Sequence, residues 1–209
     1  MNQTEDGPLS PAESLTLISA ERARVGRSLS PSQTLLYGTW GATWLVGWTL
    51  MFLAAPTGPE LLPLWLAGTL FGALVVGSIA LSIVVGVRAG RGIEGQSRVS
   101  GALHGWTWTL GFWALTAINV GFTVKLDVST DVIALLWTTG PLMIMGLLTM
   151  VGAAHRRSVP EYVAGVWLLL AAALSVYIGV PANLLVLGVA GGGAMIGLAV
   201  HHARRARTA

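Results

Sequence analysis

Six apolar stretches, none with Asp, Glu, Lys or Arg in its interior, take up most of this 209-residue chain. They cover residues 34–55, 64–87, 102–123, 132–154, 162–180 and 184–200. The hydrocarbon core of a bilayer is ~30 Å thick, and about 20 helical residues cross it. Lipid offers no hydrogen bonds, so a crossing backbone must pair its own amides and carbonyls, as a helix does. The other solution is a barrel, whose signature of ~10-residue alternating strands does not appear. The expected fold is all-α: a polytopic membrane protein with six transmembrane helices.

The arginines orient those helices. Arg22, Arg24 and Arg27 precede the first stretch. Arg88, Arg91 and Arg98 lie between the second and third, and Arg156 and Arg157 between the fourth and fifth. Arg204, Arg205 and Arg207 follow the sixth, and the other set of connections holds one basic residue, Lys125. Short loops rich in Lys and Arg stay cytoplasmic, so the expected protein is multi-pass in the plasma membrane with both termini inside. The high pI, about 10.0, would otherwise suggest nucleic acid. Here every basic cluster flanks an apolar stretch, so the expected partner is the bilayer, with anionic lipid at its inner face, and no nucleic acid.

A chain 54% hydrophobic and 10% charged leaves no stretch for a soluble domain. No cysteine is present, which removes disulfides, thiolate metal sites and palmitoylation. The first thirty residues are polar, so no cleavable signal is expected, and the first span serves as its own.

Three divisions follow: a cytoplasmic N-terminal segment, 1–33; a six-helix transmembrane domain, 34–201; and a basic cytoplasmic tail, 202–209. Within the first, Ser10-Pro11-Ala12-Glu13 reads as a capped helix start. Leu15, Ile18, Val25 and Leu29 recur at helical spacing among charges, giving an amphipathic helix over 10–29 that Ser30-Pro31 should end. Such a helix either docks a cytoplasmic partner or lies on the inner leaflet. Short connections make sequential spans antiparallel neighbours.

No acid–base pair or nucleophile–base pair is visible, so no catalytic residue, metal, cofactor or enzymatic activity is expected. His104, the one histidine within a span, reads as a hydrogen-bonding partner of a neighbouring helix or as a proton relay. His155, His201 and His202 read as a basic flank. Thr109, Thr116, Asn119 and Thr123 fall near one face of the third span. Asn119 should face the bundle, either binding a solute or bonding across helices.

Of nine tryptophans, Trp65, Trp106, Trp108, Trp137 and Trp167 sit at belt depth. Trp40, Trp44 and Trp48 make a stripe, and Trp44 and Trp113 lie near mid-bilayer, lining a cavity or filling space against glycines. Pro141 follows Gly140 at a depth of ~13 Å and frees the carbonyl of Trp137. Gly191, Gly192 and Gly193 fall at similar depth in the sixth span, and Gly72 in the second. Helices weakened at matching depth point to a transporter site. The same glycines also suit close packing, as in Gly68/Gly72, Gly101/Gly105, Gly188/Gly192 and Gly193/Gly197. The candidate solute path is Trp44, Trp113, Asn119, Trp137, Gly140 and Pro141.

Pro11-Ala12-Glu13-Ser14-Leu15, Arg22-Ala23-Arg24-Val25, Leu35-Leu36-Tyr37-Gly38 and Trp44-Leu45-Val46-Gly47 resemble uncharacterised six-span membrane proteins of actinobacteria, some of them labelled transporters. The resemblance covers the first fifty residues and implies a bacterial membrane protein, with no substrate or cofactor to carry over. Two functions are therefore expected in competition. One is a transporter or channel for a small neutral or weakly cationic solute. The other is a non-transporting subunit or scaffold that docks a cytoplasmic partner through its N-terminal helix, as a homo-oligomer or beside a companion membrane subunit.

Overall fold

The computed structural model describes the backbone of residues 10–89 and 96–208, and the side chains of 10–20, 33–88 and 99–207. Every regular element among the described residues is helical. They are α1 (Pro11–Ala54), α2 (Leu64–Ala89), α3 (Gln96–Lys125), α4 (Thr130–Arg156), α5 (Val159–Ile178) and α6 (Ala182–Val186). A π-helical segment (Leu187–Gly192) then carries α6 into α7 (Gly193–Thr208).

The start of α1 is the one the sequence encodes. The Ser10 hydroxyl accepts from the Glu13 amide at 3.2 Å, and the Glu13 carboxylate accepts from the Ser10 amide at 2.8 Å. Two orphan donors are thereby satisfied. The expected stop at Ser30-Pro31 does not occur, since α1 continues through both to Ala54. A proline removes one amide donor and frees the carbonyl four residues back, here that of Arg27. That carbonyl precedes the apolar stretch, where water can meet it, so the helix survives. α1 therefore runs unbroken across the expected boundary between residues 33 and 34. Leu15 and Ile18 are exposed, whereas Val25 and Leu29 fall outside the residues whose side chains are described.

Two groups of helices pack tightly within themselves. In one, α4 lies closely along α5, and α3 covers α4. In the other, α1 lies along the α6–π–α7 helix, and α2 covers α1. Glycines set both close approaches. A Cβ on Gly192 would lie 2.7 Å from the Leu45 amide and 2.8 Å from the Gly41 carbonyl, so α1 and the π segment meet backbone to backbone. Thr43–Ser78 (2.7 Å) and Trp40–Ser82 (3.0 Å) hydrogen bonds tie α2 to α1. Of the four expected glycine pairs, Gly188/Gly192 packs in this way. A Cβ on Gly68, Gly72, Gly101, Gly105, Gly193 or Gly197 would meet nothing within 4 Å.

The seam between the groups is thinner and runs along α5 and the α6–π–α7 helix. The core fills it, with Leu142, Leu168 and Leu187 fully buried. Among the described residues, four helices are long and apolar enough to cross a membrane: Leu64–Arg88, Thr130–Arg156, Val159–Ile178 and Ala182–Arg207. The apolar parts of α1 and α3 are diluted by Trp, Thr and Gly, which lowers their mean hydropathy. The outside of the bundle is itself apolar, with Trp65, Val76, Leu103, Leu110 and Tyr177 all more than half exposed. So large an apolar exterior suits lipid as its solvent.

Candidate functional site

The seam is pinned at three levels. Midway along it, α4 carries Pro141 within its interior, and the residue after it, Leu142, is 0% exposed. Leu142 points across the seam at the π segment. A Cβ on Gly191 would lie 3.1 Å from Leu142 Cδ1 and 3.2 Å from Trp44 Cε3. A side chain there would press on both more tightly than ordinary van der Waals contact. The π turn inserts an extra residue per turn and leaves a carbonyl to be met from elsewhere. The Trp167 indole of α5 donates to the Ala190 carbonyl at 3.2 Å, across the seam.

Toward the end of the bundle where α4 begins, neutral amide and hydroxyl groups cross the seam. Asn183 of α6 is fully buried and donates through Nδ2 to Thr138 Oγ1 of α4 at 2.9 Å. Thr138 in turn donates back to the carbonyls of its own helix, Ala134 at 2.8 Å and Leu135 at 3.1 Å. Asn183 Oδ1 has no protein partner.

At the opposite, arginine-bearing end, the crossing is charged. Glu161, 1% exposed, is the one buried carboxylate among the described residues. Pro160 opens α5 and sets Glu161 in its first turn, where a helix N-terminus favours an anion. Arg156, in the last turn of α4, donates from Nε (3.1 Å) and Nη2 to the same oxygen, Glu161 Oε2. His202 of α7 brings Nε2 to 3.2 Å from the other oxygen, Oε1, off the line a hydrogen bond requires. Tyr37 of α1 stacks on His202, with ring centroids 5.5 Å apart and planes at 5°. Gly152 leaves room beneath: a Cβ there would lie 3.1 Å from both Arg156 Nη1 and His104 Cε1. Side chains from α1, α4, α5 and α7 thus gather around one carboxylate, and His104 of α3 stands beside Arg156.

The candidate path residues divide between these places. Trp44 is buried in the seam, and Pro141 positions Leu142 beside it. Asn119 is buried as expected and donates to the Leu136 carbonyl of α4 at 3.2 Å, the cross-helix bond. Gly140 faces Leu115 of α3, so Asn119 and Gly140 belong to the α3–α4 contact rather than to the seam. Trp113 is 70% exposed and Trp137 37%, both turned outward and neither lining a cavity with Trp44. Thr109, Thr116 and Thr123 are exposed and bond to carbonyls of their own helix, so the polar face on α3 reduces to Asn119. Gly72 leaves α2 unbroken and open.

Two histidines depart from expectation. His104 accepts from Trp108 of its own helix at 3.1 Å rather than bonding to a neighbouring one. His202 is buried, not part of an exposed flank, because α7 turns it onto Glu161 while His201 stays at the edge. Glu161 itself carries no mark in the sequence as a site. One signal was available: adjacent histidines on a helix point to different faces, so one of the pair had to face inward.

Two open apolar grooves, of about 510 and 580 Å³, lie outside the core. The first follows the seam along Trp167, Val189 and Ala190, and the second follows α1 and α2. Among the described residues, no group of three or more His, Asp or Glu side chains is placed to hold a metal ion. No family model, curated protein or solved structure matches the chain.

Proposed function

We propose that this chain is a six-span bacterial plasma-membrane protein, with both termini cytoplasmic, that moves a small neutral or weakly cationic solute along the seam, and that it has no enzymatic activity. α1 and α3 complete the six spans beside the four more apolar helices. The arginine-bearing end faces the cytoplasm, by the distribution of Arg against the lone Lys125.

One observation carries the reading. The proline inside α4, which lacks one backbone donor though the helix runs on unbroken, and the π turn of the last helix lie deep in facing helices and meet at Leu142 and Gly191. Interrupted helices facing each other near mid-bilayer are where secondary transporters bind solute, and movement of one packed group against another gives alternating access. Here Leu142 and Trp44 close the passage. Rocking of α3–α4–α5 against α1–α2–α7 would part them without breaking either tight interface.

Solute flux into proteoliposomes tests this, with glycerol, urea and methylammonium as probes. Leu142→Ala removes the plug and should raise flux severalfold over the native chain, whereas Leu142→Trp should abolish it. If all three proteins match empty liposomes for every probe, the solute reading is wrong.

The docking alternative keeps one supporting observation. Leu15 and Ile18 stand exposed at the start of α1, on the helix that continues into the bundle. A non-transporting subunit would use that helix to hold a cytoplasmic partner. Deleting residues 1–30 would then remove the partner from pull-downs and leave the bundle intact.

A further inference from the structure

We propose that Glu161 is a latch: its carboxylate joins Arg156 of one helix group to His202 and Tyr37 of the other and holds the seam shut at the arginine-bearing end. The proposal deepens the solute reading and rests on it, because it names what must release before the passage opens on that side.

The three seam crossings differ in chemistry. Thr138–Asn183 is a neutral pair, and Leu142–Gly191 is apolar contact. Only the Glu161 crossing joins ionisable groups across the seam, and it is the one most sensitive to loss of a single partner. A buried carboxylate is tolerable only while its partners stay in place. Arg156 cannot separate from Glu161 without leaving that charge bare, and both belong to the α4–α5 group. The imidazole of His202, approaching off-line at 3.2 Å and stacked on Tyr37, is the part that can withdraw with α7. Parting there leaves the carboxylate with its arginine, so this end can open at lower cost than one that splits the Arg–Glu pair. Arg156 also stays within reach of water, its side chain 37% exposed, which keeps the pair solvated as the gap widens.

The chain lacks cysteine, so a single introduced thiol reports opening without background. Leu198 is buried on α7 one turn deeper than His202 and, four residues back, lies on the same face of the helix. Leu184, buried near the other end, is the control. Leu198→Cys and Leu184→Cys are labelled with a charged maleimide in nanodiscs of phosphatidylethanolamine and phosphatidylglycerol.

Adding Glu161→Gln should speed labelling at 198 by tenfold or more and leave 184 unchanged. His202→Phe, which keeps a ring against Tyr37 but removes the nitrogen that faces Glu161, should act in the same direction and serves if Glu161→Gln yields no folded protein. The double variant should exceed neither single, because both remove the one contact across the seam. An unchanged rate at 198, an equal rise at 184, or additive effects of the two substitutions would each overturn the latch. No solute enters the experiment: fast labelling at 198 with no flux in any variant would sink the solute reading and leave the latch standing.

Discussion

Gly146 of α4 and Gly165 of α5 cross so closely that a Cβ on Gly146 would lie 3.0 Å from the Gly165 carbonyl, and one on Gly165 2.9 Å from the Gly146 carbonyl. The obstacles are backbone atoms, which cannot rotate aside. Either Gly→Ala change therefore pushes two helices apart, and overpacking of this kind costs about 1–3 kcal/mol. We expect a clear fall in thermal midpoint in detergent for Gly146→Ala and Gly165→Ala. Gly68→Ala and Gly72→Ala on α2 meet open space and should hold or slightly raise it, since alanine is the better helix former. Equal behaviour of the two sets would contradict the packing described.

Asn119→Ala should matter little. Its amide donates to a carbonyl that already lies within α4, and cross-helix bonds of this type average ~0.6 kcal/mol in membranes. Flux and midpoint should both stay near native. Loss of flux with an unchanged midpoint would show Asn119 to be a solute contact after all.

Thr138→Val tests the neutral crossing. Valine matches threonine in shape but leaves Asn183, already short of a partner at Oδ1, with an unpaired Nδ2 as well. An unsatisfied buried polar group costs about 1–3 kcal/mol. Combining it with Asn183→Leu should cost less than the sum of the two single changes, as measured by chemical denaturation. A strictly additive result would mean the pair does not interact.

The α1 start should respond to acid. Bonds from Ser10 hold the Glu13 carboxyl below its ordinary range, the side-chain bond first and the backbone bond second. A depressed carboxylate pKa means stabilisation that is present above the usual glutamate range and lost as pH falls through the folded value. Amide exchange at Glu13 and Ser14, corrected for intrinsic rates, should speed up below that range and not above it. Ser10→Ala removes the hydroxyl's share and should weaken the dependence, while the backbone bond keeps the rest.

The helical architecture was legible because apolar length and interior charge are one-dimensional properties. The capping box at Ser10 and Glu13, the inward face of Asn119, and the weakness of the sixth stretch at Gly191 and Gly192 follow from local chemistry in the same way. Direction around a helix axis was less accessible. Trp113 faces outward, because facing depends on which neighbour is present and position in the sequence does not carry it. Pro31 misled because a proline's effect depends on whether water can reach the freed carbonyl. Glu161 and His202 were invisible as a pair: they lie on different helices, and each alone looks like part of a loop flank. Only the closing of the bundle sets them against each other.

The proposed topology turns the arginine-bearing end toward the cell interior. Thr57, in the exposed turn after α1, and Ala206, near the end of α7, lie at opposite ends of the bundle. With Thr57→Cys or Ala206→Cys as the sole thiol, a membrane-impermeant maleimide added to intact cells should label position 57 at once and position 206 only after permeabilisation. Labelling of 206 from outside while 57 stays protected would contradict the membrane topology on which the account is built.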